Sequence, residues 1–233
     1  MTVNNSMSRE RKYERLNCFA PPEMIVSDRK YNLIMGGTIL YGLIVNILMC
    51  QYFPAEQLVS AIGPIGSLIA YVVLVFAGTV MAAGSRNAWI SFLGYNLIVV
   101  PLGVTVTILV GAYGGLSSSV VISAMWYTGI VTVAMMAAAT AFPKFFARMG
   151  GFLFSALIGL LICGLVSMFI PALYSVYAFA GAVIFSLYIG YDMFRSQIYP
   201  KTADNAVDCA LDIYLDIINL FILLLQIFGN RDN

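Results

Sequence analysis

The 233-residue chain contains no histidine, and only 10% of its residues are charged. Without histidine, any pH response near neutrality must come from carboxyl or thiol groups whose pKa values are shifted. The scarcity of charge excludes an ordinary soluble domain, in which about a quarter of the residues are charged. Hydrophobic residues make up 61% of the chain, and the mean hydropathy is +0.90. These values predict a protein that crosses a membrane several times.

Cysteine is also sparse, and its spacing excludes two common kinds of site. The four cysteines, Cys18, Cys50, Cys163 and Cys209, are far apart and form neither a CxxC motif nor a disulfide framework. We interpret them as small apolar residues. The net charge of +1 gives no reason to expect a nucleic-acid partner, and we expect no organic cofactor.

The apolar residues are arranged in seven stretches that are each long enough to cross a bilayer, which requires about 20 residues in a helix. We expect an all-α membrane protein with a polar segment at 1–30 and one transmembrane domain at 31–229. The predicted spans, one to seven, are 31–52, 62–83, 88–110, 120–141, 150–170, 172 to the Asp192 region, and 205–228.

The basic residues alternate between the predicted loops and thereby indicate an orientation. Eleven of the twelve lie before span one or in the loops on that same side, among them Arg86 between spans two and three. The positive-inside rule then places the N-terminus in the cytoplasm, and an odd number of spans places the C-terminus outside. A six-span count would place both ends inside. The basic N-terminus and the lack of a eukaryotic targeting signal favour a bacterial inner membrane.

Acidic residues recur every fourth position near the C-terminus, at Asp204, Asp208, Asp212 and Asp216. We assign the first two to the cytoplasmic interface and the last two to span seven. Asp192 lies in span six, before a polar break predicted at 196–205. A charged side chain near the bilayer centre costs about 2.5 to 3.5 kcal/mol, so such residues usually serve a cavity, a partner or an ion path.

Asp192 and Asp216 are each twelve residues from position 204. If spans six and seven form a hairpin around that point, the two carboxyl groups lie at the same depth. Two carboxylates in a low-dielectric setting tend to share one proton, which makes the pair sensitive to pH. When the pair opens, its oxygen atoms suit Ca²⁺, and Asp212 is a candidate third ligand. Arg86 is either a gating partner of the pair or a topology marker.

Three segments around these aspartates carry a family resemblance. They read SLYIGYD at 186–192, ALDIYLDIINLF at 210–221 and IFG at 227–229. With the seven-span layout, they resemble the transmembrane Bax inhibitor motif family, in a bacterial-type member. The resemblance implies seven helices with the last one central and wrapped by the other six. It also implies a calcium leak channel, controlled by a proton-sharing pair that matches Asp192 and Asp216, with an arginine near the end of the second helix that corresponds to Arg86.

The sequence is also compatible with other functions. A non-conducting membrane regulator and a proton-coupled cation transporter would both fit the composition. An intramembrane aspartyl protease would also use two aspartates, but the second acid of those enzymes follows a Gly-x-Gly sequence, whereas Asp216 follows Tyr214-Leu215. We therefore expect a protein that is not an enzyme, that moves calcium ions and protons, and for which one chain suffices to form a pore.

Overall fold

The computed structural model describes residues 20–53 and 55–230. Most of the predicted polar segment 1–30, including Cys18, lies outside these residues. Within the described part of the chain, the backbone forms helices joined by short turns, and its extended pairing is an isolated bridge between Ile25 and Thr202.

The helices confirm the predicted fold class. The α-helices of the described residues are α1 (Asp28–Tyr52), α2 (Ala55–Ile62), α3 (Pro64–Gly84), α4 (Ala88–Ala112), α5 (Ser119–Ala141), α6 (Pro143–Phe146), α7 (Gly150–Ser167), α8 (Tyr174–Ile198) and α9 (Ala203–Gly229). Seven of these are long and apolar enough to cross a membrane, namely α1, α3, α4, α5, α7, α8 and α9.

Polar side chains fix where several of these helices begin. Ser27 accepts a hydrogen bond from the Lys30 amide at the start of α1. The Asn87 side-chain oxygen Oδ1 accepts from the Trp89 amide at the start of α4, and the Thr202 hydroxyl accepts from the Asn205 amide at the start of α9. Each cap satisfies a backbone donor that has no partner inside its helix.

The polar break near the C-terminus is shorter than the sequence suggests. We expected it at 196–205, but α8 continues to Ile198 and α9 starts at Ala203. The polar residues at both edges of the break are accommodated within helices, and Thr202 caps α9. The turn therefore lies six residues after Asp192 and thirteen before Asp216, so equal depth of the two does not follow from its position.

The chain forms two compact units. The first comprises the described residues up to Gly111 together with Ser196–Asp212. In this unit α3 and α4 approach at a glycine pair, where a Cβ atom on Gly94 would lie 2.6 Å from the Gly78 carbonyl oxygen. The Tyr95 hydroxyl, from α4, donates to the Thr38 carbonyl of α1 at 2.9 Å. Small residues and one buried phenol thus bring three helices together.

The second unit comprises Ala112–Arg195 and the residues from Ile213 onward. A glycine of α8, Gly181, lies under Leu223 of α9, so that a Cβ atom there would lie 2.8 Å from a Leu223 methyl group. The rings of Tyr127 in α5 and Phe228 in α9 are 5.3 Å apart between centroids. The C-terminal half of α9 therefore packs against both α5 and α8.

The last helix is the most buried of the seven candidate spans. In its apolar stretch 61% of the residues are buried, against 50% in α4 and 33% or less in the other five. A larger share of the last helix is therefore buried than of any other candidate span, and its predicted position at the centre of the other six stays a prediction. The remaining helices expose large apolar side chains on one side, such as Phe76, Trp126 and Phe154, which suits contact with lipid.

The glycine contact between α3 and α4 can be tested by one added methyl group. Replacing Gly94 by Ala should lower the free energy of unfolding by about 1 to 3 kcal/mol, because the methyl group would meet backbone atoms of α3 that cannot move aside. Gly37→Ala is the matched control, since Gly37 is an exposed glycine of α1 with open space around its Cβ position. Thermal unfolding of both variants in detergent measures the difference, and equal midpoints would contradict the close approach.

Candidate functional site

Asp192 of α8 and Asp216 of α9 both belong to the second unit and are both buried, with exposed fractions of 8% and 7%. Tyr188, one helical turn before Asp192, lies within electrostatic interaction range of both carboxyl groups. Both acids thus interact electrostatically with the same phenol. The proton-sharing contact between them stays a prediction.

Arg195 provides a positive charge beside the pair. Its guanidinium Nη1 lies 3.1 Å from Asp192 Oδ1, one turn away on the same helix, and it also covers the Tyr191 ring at 5.4 Å from the centroid. The Arg195 side chain is 33% exposed, so the ion pair contributes at most about 1 kcal/mol to stability. Sequence reasoning treated Arg195 only as an orientation marker, although its three-residue spacing from Asp192 on a helix indicated the contact.

Two close contacts hold α8 at Gly190 and Tyr191, the two residues before Asp192. The Phe146 ring occupies the space where a side chain on Gly190 would be, and the Tyr191 ring does the same at Gly150 of α7. Only glycine allows such an approach between a helix and an aromatic ring. Asp192 therefore projects from a stretch of α8 whose position is fixed by packing.

The two remaining predicted site residues lie in the first unit. Asp212 is half-buried on α9, one turn before Asp216, and Arg86 is half-buried in the three-residue turn between α3 and α4. The roles expected of both, as a third calcium ligand and as a gating partner, stay predictions.

Metal-ligating side chains do not form a closed set in this part of the chain. Among residues 20–53 and 55–230, no three or more His, Cys, Asp or Glu side chains are grouped so as to hold a metal ion. Tight Ca²⁺ sites use six to eight oxygen ligands, several of them carboxylates.

A third buried acid, Asp204, lies in the first unit, although the sequence pattern predicted it at the cytoplasmic interface. Asp204 is only 7% exposed, and its Oδ1 accepts a hydrogen bond of 2.5 Å from the Ser91 hydroxyl of α4, which is itself fully buried. Asp208, one turn later, is 4% exposed. No sequence signal linked Ser91 to Asp204, because the two residues are 113 positions apart.

The turn between the two aspartate-bearing helices is held by the segment that precedes α1. The Val26 amide donates to the Lys201 carbonyl at 2.8 Å, next to the bridge between Ile25 and Thr202. The Lys201 amine lies 4.4 Å from the centroid of the Tyr31 ring and donates to the Gln197 side chain at 3.0 Å. These contacts fix the backbone and the charge of the turn together.

Burial lowers the pKa of the Lys201 amine from its ordinary value of 10.5, and the nearby Asp28 and Cys209 oppose the shift. The folded protein thus binds this proton less tightly than the unfolded chain. Folding is disfavoured by this group below the lowered pKa, and the penalty fades as the pH rises through that value.

We therefore expect wild-type protein to gain stability relative to a Lys201→Met variant as the pH rises through the lowered pKa towards the ordinary value of 10.5. The methionine keeps the apolar stem of the side chain and removes the titrating amine. Thermal unfolding midpoints of both proteins, measured across this range, give the comparison. A constant difference between the two midpoints at all pH values would contradict the lowered pKa.

Comparisons with known proteins place the chain in a family. Residues 24–233 match the model of a family described as inhibitor of apoptosis-promoting Bax1. A Helicobacter pylori (strain J99) protein is 39% identical over 132 residues, which cover 54% of this chain and 56% of that protein. Bax inhibitor 1 of Schizosaccharomyces pombe is 31% identical over 154 residues, 64% of this chain and 55% of its own length. Inner membrane protein YbhL of Escherichia coli K12 is 37% identical over 93 residues, 35% of this chain and 40% of that protein.

The chain spans about half the length of the first two of these relatives in the matched regions. The family model, by contrast, covers nearly all of the chain, including every helix of the structure. The chain belongs to the Bax inhibitor family.

Proposed function

From this family membership, we propose that the protein is a pH-sensitive calcium leak channel gated by Asp192 and Asp216. The observation that carries the proposal is the burial in the second unit of both carboxyl groups, which interact electrostatically with Tyr188. Buried acids in membrane-spanning helices are costly and commonly mark an ion or proton path.

In the proposed mechanism, a shared proton holds the two carboxyl groups together and closes the path. When the proton is lost, the two negative charges repel each other and the helices that carry them separate. Tyr188, one turn before Asp192 on the same helix, interacts electrostatically with both acids. Arg195 supplies a counter-charge to Asp192 through the 3.1 Å ion pair.

The opened carboxylates offer hard oxygen ligands to a divalent cation on its way through the membrane. Two carboxylates, rather than a closed set of ligands, suit conduction, because an ion that is bound too tightly cannot leave. Asp212, one turn nearer the start of α9, is proposed as a further point of contact for the ion, and Arg86 as a further gating group. The function requires no enzymatic step and no organic cofactor, and one chain is sufficient for it.

Calcium flux into liposomes that contain the purified protein tests this proposal. Wild-type protein should conduct in a pH-dependent way, and Asp192→Asn or Asp216→Asn should remove most of the pH dependence, because an amide cannot gain or lose the proton. Asp28→Asn, at the exposed start of α1, makes the same chemical change at an acid outside the pair and should leave the pH response intact.

Two results would count against the channel. Flux that is unchanged in Asp216→Asn would exclude gating by the pair. No flux at any pH from correctly folded wild-type protein would favour a non-conducting regulator, and flux that requires an imposed proton gradient would favour a coupled transporter.

We further propose that the protein resides in a bacterial inner membrane with its N-terminus in the cytoplasm. The alternation of basic residues between loops supports this orientation. The E. coli relative YbhL is named an inner membrane protein, which supports the location.

Reporter fusions to the C-terminus test the orientation. With seven spans, alkaline phosphatase fused there should be active, because it folds only outside the cytoplasm, and green fluorescent protein should be dark. The same reporters placed after residue 146, in the loop that carries Lys144 and Arg148, should show the opposite pattern. Fluorescence from the C-terminal fusion would mean an even number of spans.

A further inference from the structure

The turn between α5 and α7, at 142–149, exposes two basic and two aromatic side chains. Lys144 and Arg148 are exposed, and their side chains form no ion pair or hydrogen bond with any residue that the structure describes. In the same turn, the Phe142 and Phe145 rings are 66% and 56% exposed. Two cations and two rings on one short turn are thus available to a partner outside the described part of the chain.

The neighbouring chain has no acid to offer these cations. Between Glu56 and Asp192 the sequence contains neither aspartate nor glutamate. In the described part of the second unit, to which the turn belongs, Asp192 pairs with Arg195 and Asp216 is buried. A counter-charge for the two cations must therefore come from elsewhere.

The turn presents its side chains from a fixed backbone. The amides of Ala147 and Met149 donate to the carbonyls of Pro143 and Phe146 at 2.9 and 3.0 Å, so helical spacing continues beyond α6. Phe146 is 1% exposed, and its ring occupies the space where a side chain on Gly190 of α8 would be. Because residues four positions apart lie on adjacent helical turns, the two cations project from the same side of this backbone.

The exposed rings are fixed at the end of a candidate membrane span. The Phe145 ring meets the buried Phe146 ring edge to face, with 5.1 Å between centroids. Phe142 directly follows α5, and its amide donates to the Ala138 carbonyl. Since α5 and α7 are both long and apolar enough to cross a membrane, the turn between them lies at the edge of the hydrocarbon region. Aromatic rings are favoured there, between headgroups and acyl chains.

An anionic phospholipid matches both parts of this surface. Its phosphate group supplies the negative charge that the basic pair lacks, and basic residues next to a membrane span attract such headgroups. Its acyl chains begin just below the phosphate, where exposed rings can contact them. A free phosphate ion would neutralise the cations but would leave the rings without a partner.

We propose that Lys144 and Arg148 bind the phosphate group of an anionic phospholipid whose acyl chains contact Phe142 and Phe145. The lysine contributes a compact charge with three donors, and the arginine contributes a planar group that can donate to two phosphate oxygens at once. The binding of this lipid does not depend on what the protein transports.

Native mass spectrometry of the full chain in detergent, titrated with phosphatidylglycerol, tests the site. Lys144→Gln combined with Arg148→Gln should weaken the tightest lipid-binding step at least about tenfold, because each cation near an anionic lipid contributes about fivefold. Lys144→Arg combined with Arg148→Lys keeps both charges and should stay within about threefold of wild-type affinity. Both positions are exposed, so all these variants should keep the wild-type thermal midpoint.

A second basic pair provides the matched control. Arg29 and Lys30 are exposed at the start of α1, next to Asp28. Replacing both by Gln removes the same amount of charge and should change the affinity by less than about threefold, because the adjacent acid already offsets part of that charge.

The aromatic half of the site has its own control. Phe142→Ala combined with Phe145→Ala should weaken phosphatidylglycerol binding by about threefold or more, since the acyl chains lose their contacts. Phe76→Ala removes a ring that is 69% exposed within α3 and should leave the affinity unchanged.

Three results would overturn the lipid site. Equal weakening by the substitutions at 144 and 148 and by those at 29 and 30 would mean that any exposed cation attracts the lipid. Equal affinity for phosphatidylcholine, which carries no net charge, would exclude recognition of an anionic headgroup. Displacement of phosphatidylglycerol by millimolar inorganic phosphate, with no effect of the phenylalanine substitutions, would assign the turn to a free anion.

Discussion

The interior of this protein is organised by the cost of burying charge and unpaired polar atoms where little water is present. Buried polar and charged side chains occur along much of the last helix, α9. Its first half holds four aspartates, and three of them, Asp204, Asp208 and Asp216, are buried. The other helices are mostly apolar and expose apolar side chains where lipid would contact them. The buried acids of α9 must therefore find hydrogen-bond or ion-pair partners on neighbouring residues.

Those partners come from different parts of the chain in the two units. In the first unit, Ser91 from α4 donates to Asp204. In the second, Arg195 pairs with Asp192, and the Tyr188 phenol lies near both Asp192 and Asp216. Packing at glycines holds the supporting helices in place, so that the polar groups meet without large side chains between them. Stability and the proposed gating thus depend on the same contacts.

The fold could be predicted from the sequence because the lengths of the apolar stretches and the positions of the basic residues are local properties. The seven spans agree with the structure to within a few residues, apart from span six, which runs on to Ile198. The buried nature of Asp192 and Asp216 also followed from their apolar surroundings. The short helix α2, by contrast, was not predicted, because eight residues give too little periodic signal.

The partners of the acids were harder to predict, since they depend on contacts between distant segments. The pairing of Ser91 with Asp204 and the anchoring of the turn at Lys201 by Val26 each join residues more than a hundred positions apart. The levels of Asp192 and Asp216 were argued from a turn centred near residue 204, and the helix ends at Ile198 and Ala203 moved that centre.

The glycine contact between α3 and α4 bears on what the loop beyond it can do. The helices that meet at Gly78 and Gly94 are joined by only three residues, Ser85 to Asn87, and the Asn87 side chain holds the first turn of α4. The short connection and the cap at Asn87 restrict movement of the backbone at Arg86. If Arg86 takes part in the proposed gating, it acts by rotation about its own side-chain bonds. The distance that its guanidinium group can cover is then set by the length of one arginine side chain.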